Sequence, residues 1–239
     1  MRDLRIAAIA NTKELSVTFD MNNYLPVEPD FFAGSAVEVA QKAVGCLVIF
    51  TDLRRKTDSG IIIVEDEAYD ETDMASHCHP GAAAQRRNRS SSMLLPHGHV
   101  YIHHDRGMPC LNLVCGEEGF GSAILIRAGM PVIGIDAMAE RRSAHPSADR
   151  AIRGRASGFE RKLCNGPAKL GEALGLYPEL DGASLFKSPF RVLRPIEPVT
   201  NLLNGRRINI SKDAERPWRW GHPGYREWLS APFPSVVDA

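Results

Sequence analysis

No run of apolar residues in this chain approaches the roughly 20 needed to cross a bilayer; the longest, Ala43 to Phe50, is short and interrupted by Gly45, which excludes a membrane span. Met1 to Asn22 has scattered charges and no apolar centre, so no secretory signal is expected there. Cysteine is sparse. Cys46, Cys78, Cys110, Cys115 and Cys164 are an odd number at irregular spacings, which argues against a disulfide framework and for reduced thiols in a cytoplasmic protein. There is no internal repeat, no Cys-x-x-Cys pair and no His-Glu-x-x-His, so neither a solenoid nor a defined zinc site is indicated. Net charge is absent too, at formally +0, which is weak evidence against a nucleic-acid binder.

That neutrality conceals an asymmetry. Met1 to Ala75 holds seven Lys or Arg against fourteen Asp or Glu, whereas Ser76 to Lys169 holds thirteen against seven. A basic portion can supply phosphate contacts on one face of a neutral molecule. With 239 residues, 44% of them hydrophobic, the chain can bury a core without staples. The most unusual stretch begins at Ile61-Ile62-Ile63-Val64-Glu65-Asp66-Glu67-Ala68-Tyr69, a strand-like run that carries acids straight out of apolar sequence. Strand alternation puts Glu65, Glu67 and Tyr69 on one face, in line with Ile61 and Ile63.

Periodicity and punctuation give the remaining elements. Ser35 to Glu38 has the capping-box spacing, an apolar stripe runs from Val37 to Val44, and Gly45 suits the left-handed residue after a last turn. A helix over Ala36 to Val44 is expected. Cys46 to Phe50 and Ile61 to Tyr69 read as strands joined by a long polar loop, Thr51 to Gly60, and a polar loop region covers Asp70 to Pro96. Val100 to His103, Leu111 to Val114 and Ser122 to Arg127 read as strands, with a turn over His104 to Pro109. Helices are expected over Gly134 to Arg142 and Ala168 to Leu174, with a basic linker from Arg142 to Gly158 and strands again at Arg207 to Ser211 and Trp218 to Trp220. Strands cluster in runs, which favours an α+β domain on a mostly antiparallel sheet. Residues 1–30 read as an N-terminal arm and 31–239 as the domain.

Three constellations of reactive residues compete. Histidine pairs at His77 and His79, His97 and His99, and His103 and His104 suggest a metal; Glu67 with Arg127 suggests a glutamate acting on water; the Arg86 to Arg89 cluster suggests nucleic acid. Taken in order, Glu65-x-Glu67-Ala68-Tyr69, His77, Arg87-Asn88-Arg89, Gly98-His99-Val100-Tyr101, Gly107-Met108, Asn112, Leu125-x-Arg127-Ala128 and Leu163-Cys164-x-Gly166-Pro167-x-Lys169-Leu170 resemble the alkyladenine (3-methyladenine) DNA glycosylase family. The resemblance runs from Phe31 to Ser230 and includes Ile210-Ser211-Lys212 and Arg216-Pro217-Trp218-Arg219.

It implies a single mixed domain with a curved, mostly antiparallel sheet and surrounding helices, needing no cofactor or metal. Such a domain binds duplex DNA containing a damaged purine, flips that purine out and hydrolyses its N-glycosylic bond, initiating base excision repair. A monomer associated with the nucleoid is expected. Glu67 falls on the family's general base and Arg127 on the arginine that helps position the water. Tyr69, His77, His103, Asn112, Leu125 and Ile208 fall on base-pocket positions, Asn112 on one associated with rejecting the amino group of guanine. Arg87, Asn88, Arg89, Arg106, Lys169 and Lys212 are the expected DNA contacts. The chemistry agrees: glycosylic cleavage develops positive charge on the sugar, which a nearby carboxylate stabilises while accepting a proton from water.

The departures lie on one hairpin. His103 stands where the family usually stacks a tyrosine, and Arg106 where an aromatic wedge fills the vacated space. A one-residue register shift before Asn112 would put Asp105 at the tip instead. Asn209 replaces a common glycine. Two other readings of the chain are a catalytically weak protein that recognises damaged DNA and a metal-dependent hydrolase using the histidines.

Overall fold

The computed structural model describes residues 19–84, 89–105, 107–145 and 149–234. Among them, nine strands make one sheet: β1 (Tyr24–Pro26), β2 (Leu47–Asp52), β3 (Thr57–Asp70), β4 (Val100–Asp105), β5 (Met108–Val114), β6 (Ser122–Ile133), β7 (Phe190–Pro195), β8 (Leu203–Gly205) and β9 (Arg219–Gly221). Their order is β1-β7-β2-β3-β6-β5-β4, with β9 pairing both β3 and β8. All of these pairings are antiparallel and the sheet does not close, as the α+β reading anticipates. Four helices accompany it: α1 (Ala36–Ala43), α2 (Ile135–Ala144), α3 (Arg150–Arg153) and α4 (Pro167–Leu174). No helix among the described residues is long and apolar enough to cross a membrane.

The helix signals act where they stand. Ser35 Oγ accepts from the Glu38 backbone N at 3.3 Å and the Glu38 carboxylate accepts from Ser35 N at 2.9 Å, closing the capping box of α1. Pro167 opens α4, and Gly175 ends it with φ +80°. Within α4, a Cβ on Gly171 would lie 1.8 Å from the Pro109 carbonyl oxygen, so a glycine there lets the helix press against β5. That contact braces the β4–β5 hairpin.

The sheet carries a core on each face. Val48, Phe50, Ile61, Ile63, Ile124 and Ile126 pack with α1, α2 and α4 on one side, while Leu47, Ile49, Ile62, Val64, Ala128 and Met130 pack on the other. Fully burying side chains of this size contributes roughly 1.5–3 kcal/mol each.

Several elements differ from the reading of the sequence. Thr51 to Gly60 is mostly strand: pairing continues to Asp52 opposite Thr57, and the Asp52 carboxylate builds the short turn by accepting from Arg54 N and Arg55 N. Polar side chains across an exposed hairpin read as loop, because their pairing leaves no hydrophobic alternation. The turn expected over His104 to Pro109 shrinks likewise, with Asp105 opposite Met108. Strand β6 runs past Arg127 to Ile133, and Pro131 is accommodated at a register irregularity opposite Gly60 and Ile61. Arg207 to Ser211 is not a strand; its backbone turns at Asn209 with φ +59°, a conformation asparagine tolerates. Strand β7 had no signal of its own, and β1, inside the segment read as an arm, pairs with it along the sheet edge.

Candidate active site

Two irregularities in the β3–β6 ladder build the site. Ile63 pairs with Gly129 and Glu65 with Ala128, so Val64 is an extra residue on β3; Asp66 pairs with Ile126, so Arg127 is an extra residue on β6. A bulge re-aims side chains. The strict alternation expected along β3 therefore breaks: Ile61, Ile63 and Ala68 face the helices, while Glu65 and Glu67 turn to the opposite face and meet Arg127. Glu65, Glu67 and Tyr69 do share one face, but it is not the face of Ile61 and Ile63.

Glu67 has no solvent exposure and is held at three points. Its Oε2 accepts from Tyr69 Oη at 2.7 Å and from Arg127 Nη1 at 3.2 Å, and its Oε1 accepts from the Ile208 backbone N at 2.7 Å. A carboxylate offers about four acceptor sites, so this arrangement orients Glu67 and leaves capacity for one further donor. Burial and the Glu67 charge together push the Tyr69 phenol well above its ordinary value, keeping it a donor. Burial alone would lower the Arg127 guanidinium; the carboxylates of Glu67 and Glu65 outweigh it and raise it, so the cation is secure.

Register extends the site sideways. Glu67 pairs with Leu125, Leu125 with Asn112 and Asn112 with Tyr101, so these four residues form a row on one face across β3, β6, β5 and β4. At about 4.8 Å between strands, the row is a floor roughly 14 Å wide. Asn112 Nδ2 donates to the Tyr101 carbonyl at 3.0 Å and to the Cys110 carbonyl at 3.3 Å, which leaves its amide oxygen as a fixed acceptor. The loop after β3 returns over the floor, where His77 Nδ1 lies 2.9 Å from Tyr101 Oη and the His77 and His103 rings stand 4.3 Å apart edge to face. The expected catalytic pair and pocket residues thus lie on or beside one row.

The expected DNA contacts are more dispersed. Arg89, Lys169 and Lys212 are exposed. Lys169 Nζ donates to Asn165 Oδ1 at 3.0 Å, and partial burial, with a smaller contribution from the Arg142 cation, lowers its ammonium below the usual range. Arg87, Asn88 and Arg106 lie outside the described residues. Among the described residues no three His, Cys, Asp or Glu side chains converge as metal ligands would.

Other members of the site were given no role from the sequence. Arg207, buried, forms a two-pronged pair with the Asp73 carboxylate, donates to the Ala68 carbonyl at 3.0 Å and lies 4.6 Å over the Tyr69 ring, fixing that ring from behind. Arg219 Nε donates to Glu65 Oε1 at 2.8 Å. Arg219 stood in the Arg216-Pro217-Trp218-Arg219 stretch without a role, and the other hint was the number of acids in an apolar strand, each of which needs a buried cation or a proton.

Known proteins resemble the chain along most of its length. The methylpurine-DNA glycosylase (MPG) family model matches residues 30–226. Over 209 residues the chain is 38% identical to a protein of Nitrosospira multiformis named "Putative 3-methyladenine DNA glycosylase", covering 86% of this chain and 95% of that one. Proteins of the same name from Rhodopseudomonas palustris and Rhizobium meliloti are 38% identical over 210 residues and 39% over 201, covering 87% and 84% of this chain and 92% and 94% of theirs.

Proposed function

The chain belongs to the methylpurine-DNA glycosylase family, and we propose on that premise that it is a monofunctional DNA glycosylase acting on alkylated or deaminated purines in duplex DNA. The observation that carries the proposal is the three-point hold on buried Glu67, which keeps one carboxylate ready for a single further donor. In this reading the donor is water. Arg127, bonded to the same carboxylate, places that water and holds Glu67 beside a sugar that becomes positive as the glycosylic bond breaks.

The damaged purine leaves the stack and lies over the row from Glu67 to Tyr101, against Tyr69, His77 and His103. Extrusion costs a few kcal/mol, less for a lesion that pairs badly, and stacking on aromatic faces offsets about 1–3 kcal/mol of it per contact. The fixed amide oxygen of Asn112 meets the base edge and discriminates among purines. The nucleophile is water rather than an amine, so no covalent sugar adduct forms, and borohydride should trap none.

Base release from duplexes, each carrying one 3-methyladenine analogue, 7-methylguanine, hypoxanthine or ethenoadenine, tests this directly. Wild type should free at least one of these bases, and Glu67→Gln should lose about 10²- to 10⁴-fold in single-turnover rate while still binding the lesion duplex. Tight binding with no release by wild type would instead identify a damage-recognition protein.

A further inference from the structure

We infer that Ser230 is a positioning residue for the Glu67–Arg127 pair, acting through Glu65. It lies beyond the residues 30–226 that the family model matches.

Glu65 is fully buried and collects donors from distant parts of the chain. Its Oε1 accepts from Arg127 Nε at 3.1 Å, Arg219 Nε at 2.8 Å and Ser230 Oγ at 2.8 Å, and its Oε2 accepts from Ser230 N at 2.5 Å. Ser230 Oγ also lies 3.3 Å from Arg127 Nε. One hydroxyl has one proton and two lone pairs, so it can donate to Glu65 while accepting from Arg127. That fixes the plane of the guanidinium. With Nε held between Glu65 and Ser230, Nη1 is left facing Glu67 at 3.2 Å.

The segment carrying Ser230 is itself built in. Arg219 donates to the Ala231 carbonyl at 2.5 Å and the Pro232 carbonyl at 3.2 Å, and its guanidinium lies 3.8 Å from the Phe233 ring centroid. Phe233 packs on Gly221, where a Cβ would come within 2.6 Å of the ring. Residues 230–233 thus form a strap over β9 that ends at the catalytic ion pair.

Arg127 serves two carboxylates, and Ser230 settles the competition. Its two donors satisfy much of the acceptor demand of Glu65, which would otherwise draw the guanidinium away from Glu67. Loss of the hydroxyl should therefore slow the chemical step and spare binding.

The test rests on the glycosylase reading and uses the full chain on the lesion duplex that wild type processes. Ser230→Ala should lower the single-turnover rate about tenfold, the size of a hydrogen bond to a charged group, with duplex Kd unchanged within about twofold. Ser230→Thr should restore the rate. In an Arg127→Lys background, which lacks Nε and its bond to Ser230, the alanine substitution should cost nothing further. An equal loss in both backgrounds, a loss confined to Kd, or an unchanged Ser230→Ala rate would each overturn the inference while leaving the glycosylase intact. Absence of base release by wild type would instead remove the functional reading, and the role of Ser230 with it.

Discussion

Asp66 sits between the two acids of the site and behaves as neither does. It pairs across the ladder with Ile126 and Trp220, both in the helix-side core, and among the described residues neither carboxyl oxygen has a hydrogen-bond partner. Burial, with the charges of Glu65 and Glu67 adding to it, raises its carboxyl well above the ordinary 3.8, so the proton is retained where an unpaired charge would be too costly. Between 3.8 and that raised value the folded chain binds a proton that the unfolded chain releases, so Asp66 subtracts stability as pH rises through this window. Asp66→Asn removes the titration. Its melting temperature relative to wild type should therefore climb from pH 4 to pH 8; a constant offset would mean that Asp66 ionises in the fold.

At the scale of elements, the loops around β3 hold the site together through ion pairs closed over long sequence distances. The Arg207 and Asp73 side chains are wholly buried, and the guanidinium also backs Tyr69. Arg207→Met leaves a buried carboxylate unpaired and should destabilise the protein by about 3–5 kcal/mol in denaturant unfolding, with Asp73→Asn in the same chain recovering part of it. An effect below about 1 kcal/mol would mean that water replaces the guanidinium. The signals that were legible at this scale were local ones. Ser35 and Glu38 close a box within one turn, and Pro167 and Gly175 frame α4. The bulges at Val64 and Arg127 were not legible, because an extra residue in a ladder is defined only by its partner strand.

For the whole molecule, the formal charge of +0 hides exposed Arg89, Lys169 and Lys212. If Lys169 contacts a duplex phosphate, Lys169→Gln should weaken binding to damaged and undamaged duplex alike and reduce the slope of log K against log salt by about 0.9. An unchanged slope would take Lys169 off the DNA path. The antiparallel α+β class followed from the grouping of strand-like runs, whereas the edge strand β1 and its partner β7 escaped notice. Short edge strands are stabilised by the sheet they join rather than by their own pattern.

The ordered motifs from Glu65-x-Glu67-Ala68-Tyr69 through Leu125-x-Arg127-Ala128 to Leu163-Cys164-x-Gly166-Pro167-x-Lys169-Leu170 were enough to identify the family and to nominate candidate residues, because residue types and their spacing are read directly from the chain. Tertiary structure alone decided how Glu67 is held, by Tyr69, Arg127 and the Ile208 backbone, and that Glu65 anchors Arg127 with help from Arg219 and Ser230. Those partners lie as much as 165 residues apart. A buried charge takes whichever neutralising group the fold brings near, and proximity in the fold leaves no trace in local sequence.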